Sequence, residues 1–373
     1  MKSYIWPLGN RVSHILMILF FGTAYILGDM DHQLKNHVIF GLSFGVLVLF
    51  RIAWGFLGPH YSRFSDFNFK LKDLARYLLN IFSSKEKYEG HNPASSYAII
   101  AMLILATLAI LSGMLAYGIE ENHGIFAFLH SARFKEMEFF EEAHELFANL
   151  FLMVVIAHVA GSLIDKFIKK NDAIDSMISG YKHTLNPIKI ETTLAQKIFQ
   201  VLWVILSLYG LYFLLTTKDN LFIASYNQPV SYASLNADFD NECGSCHITY
   251  PPYLLPKESW VKMMNELDDH FGDDASLDEQ TRVAILDFLE KNSAETSTHK
   301  AAFKITKSLK DSDETIIAVS STPYWKAKHK DIDSKVFDTQ AVKSKANCIA
   351  CHKEIDTGLL EKDLIALPKG LHA

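Results

Sequence analysis

The chain contains four cysteines, and they fall in two copies of one pattern. "CGSCH" holds Cys243, Cys246 and His247, and "CIACH" holds Cys348, Cys351 and His352. Cys-x-x-Cys-His is the attachment pattern for c-type haem. The two thiols add to the haem vinyl groups, and the following histidine offers an imidazole to the iron. A CxxC pair alone also suits a zinc site or a redox disulfide. A histidine directly after both pairs, with no other cysteine in the chain, favours two covalent haem c groups.

Each iron then has a sixth ligand or an open position. Methionine raises the potential, and a second histidine usually gives a lower one. The candidates are His270, His299, His329, His372, Met263 and Met264. His270, in "DDHFGDDASL" after an amphipathic stretch, and His329, in "YWKAKHK" before the second motif, are the favoured distal ligands. His299 and His372 read as solvated, and the two methionines as helix packing.

A second set of histidines lies in apolar sequence. "HELFANLFLMVVIAH" begins at His144 and ends at His158, 14 residues on. That spacing is nearly four helical turns and about 21 Å of rise, so both imidazoles leave one face near opposite membrane surfaces. Ionisable groups inside a membrane helix are costly and mark function. The depths match His37 with His144 on the outer side and His14 with His158 on the inner side. The arrangement calls for two non-covalent haem b groups, each held by two histidines. Arg51 follows His37 by 14 residues. It either pairs with a propionate of the inner haem or snorkels to the headgroups. Gly22, Gly41 and Gly161 lie near these histidines and would let a porphyrin or a neighbouring helix approach. His32, His60, His91, His123, His130 and His183 fall in loops and read as solvated or structural.

The elements that must position these residues follow from hydropathy. Hydrophobic residues make up 49% of the chain, and the mean hydropathy is +0.10. Five stretches reach the roughly 20 apolar residues that a membrane helix needs. They are Val12–Gly28, Val38–Leu57, Tyr97–Gly118, Leu146–Ile164 and Ile198–Thr216. Val12–Gly28 reads as a span rather than a cleaved signal. Basic residues crowd two loops, with Arg63, Lys70, Lys72, Arg76, Lys85 and Lys87 in one and Lys166, Lys169, Lys170, Lys182, Lys189 and Lys197 in the other. The positive-inside rule puts these loops and the N-terminus in the cytoplasm, and everything after Thr216 in the periplasm. That part carries 18 basic and 25 acidic residues, against 18 and 17 in the rest. It shows helical periodicity in "SWVKMMNELDDHFG" and "DEQTRVAILDFLEKN", with one short strand candidate at Thr315–Ser320. The division is 1–185 for a four-span domain, 186–221 for a fifth span and linker, and 222–373 for a soluble dihaem domain. The expected fold class is an all-α membrane protein: a four-helix haem bundle, a fifth transmembrane helix, and a mainly α, loop-rich periplasmic domain.

The segments "RVSHILMILFFGTAYIL", "NHVIFGLSFGVLVLFRIAWGFLGPHYSRF", "GHNPASSYAII" and "HELFANLFLMVVIAH" resemble the bacterial cytochrome b561 family, itself similar to the b-type subunits of nickel–iron hydrogenases. The likeness covers about residues 4–185. It implies a four-helix bundle with two bis-histidine haems, held by His14, His37, His144 and His158, and electron exchange with quinone. The fifth span departs from that pattern. "CGSCHITYPPYLLPKESW", "HFGDDASL" and "CIACH" resemble the dihaem cytochrome c family, which implies bis-histidine c haems with His270 and His329 as distal ligands.

Four haems in one chain make an electron wire in the inner membrane. The expected function is electron transfer between the quinone pool and a periplasmic acceptor. By resemblance, that acceptor is a small oxygen- or nitric-oxide-binding monohaem cytochrome. Cofactors carry the redox chemistry, and the protein supplies ligands and spacing. No acid–base or nucleophile constellation points to a hydrolase or transferase, and no nucleic-acid partner is expected. Two other classes remain open at this point. One is a cytochrome that reacts with superoxide or a small oxidant. The other is an anchor and relay subunit of a larger dehydrogenase or reductase.

Overall fold

The computed structural model describes residues 2–82, 88–131, 138–184 and 189–368. Lys85, Lys87 and His372 lie outside the described residues. The chain divides into two compact units. The first comprises Met1–Met30, Lys35–Ala116 and Phe139–Ile223; the second comprises Asp31–Leu34, Tyr117–Glu138 and Ala224–Ala373.

Among the described residues, five helices are long and apolar enough to cross a bilayer: α1 (Leu8–Gly28), α2 (Leu34–Leu57), α4 (Pro93–Ile119), α5 (Phe139–Phe167) and α7 (Leu194–Thr216). Each contains one of the five apolar stretches and extends it, because polar residues at the bilayer surface continue the helical turn. The short α3 (Leu71–Leu79) and α6 (Ala173–Ser179) lie in the two basic loops. The ends are set by ordinary capping. Thr193 and Gln196 form a reciprocal capping box at the start of α7. Asn92 accepts from the Ser95 amide ahead of Pro93, a residue suited to the first helical position. α5 has Glu141 and Glu142 in its first turn and Lys166 in its last, matching the helix dipole.

α2 is the centre of the first unit, with 44% of its most apolar window buried against 11% for α4 and 6% for α5. The apolar surface left on the other helices is what a lipid solvent requires. Phe20, Phe44, Leu47, Val48, Ala106 and Phe151 form the common core. α7 packs on α2 through Phe199, whose ring stacks on Trp54 at 6.0 Å and 7°, and through Trp203, which donates to the Val46 carbonyl at 2.9 Å. A two-stranded antiparallel ribbon pairs β1 (Lys2–Tyr4) with β2 (Tyr181–His183). Three residues per strand are too few for a period-2 pattern to stand out in the sequence.

The second unit is helical and rich in loops. Its helices are α8 (Tyr232–Leu235), α9 (Ala237–Cys243), α10 (Lys257–Asn265), α11 (Glu279–Lys291), α12 (Lys300–Leu309) and α13 (Pro323–Lys328). One core gathers Phe239, Trp260, Met264, Ile285 and Leu289. Another gathers Tyr253, Leu254, Ala302, Ile305 and Ile355. Thr315–Ser320 is not a strand. It runs without strand pairing into a 3-10 turn at Val319–Ser321, so its β-branched residues have no partner strand to pair with.

Candidate functional site

The structure brings the predicted histidines together in four pairs. His14 on α1 faces His158 on α5 with ring centroids 6.4 Å apart. His37 on α2 faces His144 on α5 at 5.8 Å. His247 faces His270 at 6.3 Å, and His329 faces His352 at 6.2 Å. Metal–imidazole bonds are about 2 Å long, so two rings that share one metal stand roughly 6 Å apart between centroids. Each pair therefore has the separation of two axial ligands on one iron.

The backbone aims several of these rings. His37 Nδ1 lies 2.8 Å from the Ala24 carbonyl, His144 Nδ1 2.8 Å from that of Ala109, His247 Nδ1 2.7 Å from that of Ile248, and His329 Nδ1 2.8 Å from that of Trp325. A Nδ1–H donated to a carbonyl leaves Nε2 for a metal and fixes the ring plane. His329 also stacks on Trp325 at 4.1 Å and 13°. Nδ1 of His352 is buried without a partner. Burial, then His329, brings His352 down to about 4, and burial also lowers His329 and His270. Neutral rings are what metal ligation needs.

Space for a flat macrocycle accompanies the membrane pairs. A Cβ added at Gly22, Gly41 or Gly161 would meet nothing within 4 Å. At Gly113 it would come within 2.7 Å of the His144 ring, so that glycine lets His144 approach α4. A cavity of about 720 Å³ surrounds His14 and His158, and Phe21, Phe44 and Phe151 line it. Arg51 lines the same cavity. Its guanidinium lies over Phe64 at 5.3 Å and Phe67 at 5.9 Å, with one weak 3.5 Å bond to the Ser62 carbonyl.

Around the CxxCH motifs, Cys243 ends α9, and Cys348 opens a 3-10 turn. None of the four thiols is in a disulfide. Burial raises Cys243 to about 12 and Cys348 to about 11. His270 sits in a tight turn, its amide donating to the Asp273 carbonyl at 2.8 Å. Phe271 and Gly272 take φ of 57° and 98° there. These residues fit covalent haem on the thiols with histidine on both faces of the ring.

The other candidates go elsewhere. Met264 is in the core and Met263 packs against it. His299 is not simply solvated: it caps α12 by accepting from the Ala301 amide and stacks on Tyr253 at 4.4 Å.

Two loop histidines are more deeply placed than their sequence suggested. His91 packs on Trp6 at 5.1 Å and on Phe67 at 4.9 Å, and lines the cavity of His14 and His158. His123, 6% exposed, forms an ion pair with Glu361 at 3.0 Å and lies 5.0 Å from the Tyr117 ring. Beside it Lys300 pairs with Glu120 at 3.1 Å, and both Lys300 and Lys362 pair with Glu121 at 3.0 Å. Burial opposes the charge on Glu121, but Lys362 and Lys300 hold its carboxyl far below the ordinary range. Only tertiary contacts reveal these groups. The signal available in sequence was the spacing of unlike charges in three separate segments.

Comparison with known proteins supplies the family. The model for prokaryotic cytochrome b561 matches residues 5–180, and that for dihaem cytochrome c matches residues 239–360. A curated relative, the "Probable Ni/Fe-hydrogenase 1 B-type cytochrome subunit" of Escherichia coli (strain K12), is 24% identical over 180 residues, covering 43% of this chain and 74% of the relative. Among solved structures, a dihaem cytochrome c from Rhodobacter sphaeroides is 33% identical, with 36% of this chain and 100% of that chain covered and a TM-score of 0.30. A dihaem cytochrome type c from Shewanella baltica OS155 is 29% identical, with 36% and 94% covered and a TM-score of 0.29. Residues 5–180 of the chain belong to the prokaryotic cytochrome b561 family and residues 239–360 to the dihaem cytochrome c family, so this is a multi-pass b-type cytochrome fused to a dihaem c-type cytochrome, with a role in electron transfer.

Proposed function

We propose that the chain is a four-haem wire that carries electrons from quinol to a periplasmic acceptor. His14 with His158 holds an inner b haem, and His37 with His144 an outer one. Cys243 and Cys246 attach a c haem ligated by His247 and His270. Cys348 and Cys351 attach another, ligated by His352 and His329. The carrying observation is that four histidine pairs stand 5.8–6.4 Å apart between ring centroids. Bound haem supplies one-electron redox chemistry; the chain supplies axial nitrogens, carbonyls that aim them, and the 14-residue interval on α5 that spaces the membrane pairs. That interval is about 21 Å of helix, most of a hydrocarbon core.

The basic loops support a cytoplasmic N-terminus and a periplasmic dihaem unit, in an inner membrane, by the positive-inside rule. The acidic balance of the residues after Thr216 suits an acceptor with a basic face, though net charge alone gives affinity and encounter rate, not identity. A small oxygen- or nitric-oxide-binding monohaem cytochrome is the acceptor first to be tried.

The likeness to a probable hydrogenase B-type cytochrome subunit of Escherichia coli favours a second reading, a relay subunit that passes electrons for a catalytic partner. Stopped-flow mixing of the fully oxidised protein with a menaquinol or ubiquinol analogue separates the two. Reduction of the b bands followed by the c bands supports the quinol-fed wire. No reduction by quinol, with prompt reduction through the c haems by a low-potential donor, refutes it and favours the relay.

A further inference from the structure

α3, in the first basic loop, has one side anchored and one side bare. On the anchored side Tyr77 is 6% exposed. Its hydroxyl accepts from Asn92 Nδ2 at 3.1 Å, and the Lys169 ammonium lies 3.9 Å from its ring centroid. Asn92 immediately precedes α4, and Lys169 closely follows the end of α5. Phe69, just ahead of α3, meets Tyr97 near the start of α4 at 5.5 Å between ring centroids. α3 is thus tied to the ends of two membrane-spanning helices, level with the bilayer edge.

The bare side is apolar. Leu71 is 71% exposed and Leu79 86%, with Leu78 between them also exposed, and Phe82, in the turn after α3, is 68% exposed. Leu71 and Leu78 are seven residues apart, so they share one helical face. Lys72 and Arg76, both exposed, are four apart and form a basic flank beside Leu79. Among the described residues neither pairs with a carboxylate. The apolar surface also continues into the membrane. Rings run from Phe56 at the end of α2 to Phe64 at 5.2 Å, to Phe67 at 5.6 Å, and to Phe69 at 5.9 Å. Phe56 itself is 70% exposed, as a lipid-facing residue is.

A leucine and phenylalanine stripe of this kind is not left in water without a partner. An apolar face with lysine and arginine on its flank is the pattern of a helix lying in the membrane surface. We propose that α3 lies flat in the headgroup layer and that Lys72 and Arg76 hold the phosphate of an anionic phospholipid. Leu71, Leu78, Leu79 and Phe82 then enter the acyl boundary. The two cations meet the headgroup while their alkyl stems lie along the leucines. This surface is independent of the direction in which electrons run. The occupant is lipid rather than a second copy of the chain, because the stripe is continuous with the lipid-facing end of α2 and its flank is wholly basic.

The test uses the full haem-loaded chain. The four native cysteines all belong to the CxxCH motifs, so with haem on them Leu79→Cys alone takes a thiol-specific nitroxide. In bilayers of phosphatidylcholine with phosphatidylglycerol, that label is expected to be relaxed by oxygen and shielded from a water-soluble nickel chelate. A label at Ser234→Cys, on exposed α8, is expected to show the reverse. Separately, the chain in detergent is titrated with phosphatidylglycerol or phosphatidylcholine, and bound lipid is counted by native mass spectrometry. Each basic group near an anionic surface strengthens binding about fivefold, so Lys72→Gln with Arg76→Gln should weaken the tightest phosphatidylglycerol about 30-fold. Phosphatidylcholine binding and haem content should stay as in the wild type. A label at position 79 that nickel reaches as readily as the one at 234 overturns the proposal. Spin–spin broadening between labels at position 79 overturns it in favour of a second copy. Unchanged phosphatidylglycerol binding in the double variant, or displacement of the lipid by inorganic phosphate, overturns the headgroup site. Loss of haem in that variant overturns it in favour of a role in folding.

Discussion

The His123–Glu361 pair gives the sharpest prediction about the second unit. His123 Nε2 meets Glu361 at 3.0 Å, with side-chain exposures of 8% and 14%. Nδ1 of the same ring faces the Glu121 carbonyl. A ring that donates on both sides is the imidazolium form. Glu361 also accepts from Ser225 at 2.9 Å and from Asn227 at 2.8 Å. Burial lowers the His123 pKa, but Glu361 and Glu121 outweigh it and raise the pKa above 6.5. Burial raises Glu361, but His123, Asn227 and Ser225 outweigh it and hold it below 4.5. The sign then follows from linkage. A raised histidine stabilises fully below its unfolded pKa and loses that contribution as pH rises through its folded pKa. A depressed carboxylate stabilises above its unfolded pKa and loses that contribution as pH falls through its folded pKa. The pair is therefore worth most between pH 4.5 and 6.5, and weakens above that window. Replacing one partner strands the other in a buried place, at a cost of about 3 kcal/mol. For a domain of this size that is a midpoint lowered by roughly 6–12 °C. The assay is thermal unfolding of the second unit in detergent, followed by near-ultraviolet circular dichroism, for wild type and His123→Gln from pH 5 to pH 9. The gap between them should narrow as pH rises. A gap that is constant or widens over that range refutes the charged-pair account.

Other expectations concern the haem sites. His158→Ala should remove the inner b haem and leave both c haems attached, read as one b haem and two c haems per chain by haemochrome spectra. Cys243→Ala with Cys246→Ala should lower the mass of the denatured chain by one covalent haem beyond the change in side chains, with the second motif still loaded. Gly113→Ala puts a methyl 2.7 Å from the His144 ring. Overpacking of that kind costs about 1–3 kcal/mol. It should loosen the outer b haem, seen as haem loss during detergent washing, while the inner one stays.

The membrane histidines were legible because helix geometry converts spacing into position. His144 and His158 lie on one long helix, so 14 residues set both face and depth, and His14 and His37 could be matched to them by depth alone. Five apolar runs likewise had one reading, since no soluble core of that length could enclose them. The ends were less legible. α5 starts at Phe139, seven residues before the apolar run at Leu146, because "FFEEAHE" is amphipathic and charged yet helical. The strand expected at Thr315–Ser320 failed for a different reason. Its β-branched residues fit an extended backbone, but a strand also needs a partner edge, which local sequence does not encode.

The loop histidines mark where spacing stops being informative. His91, His123 and His183 look alike in the sequence, each a histidine in a polar segment between apolar runs, although His183 proves to end β2. In the structure His183 sits on the surface with Asp172 at 2.8 Å and 66% side-chain exposure. His91 is enclosed by Trp6 and Phe67, and His123 is buried against Glu361. What separates them is the segment that arrives from far along the chain: residue 6 for His91 and residue 361 for His123. A titratable group in a loop gains function from what covers it, and that cover is a long-range fact. The proposed distal ligands lie between these cases. His270 and His329 were legible as candidates through their positions near helix ends, yet only the fold opposes His270 to His247 at 6.3 Å and His329 to His352 at 6.2 Å. Exchanging the two would require each ring to leave its own anchor, the turn through Asp273 for His270 and the stack on Trp325 for His329. The pairing is thus fixed by backbone turns local to each distal histidine, which act only once the two CxxCH segments have been folded against them.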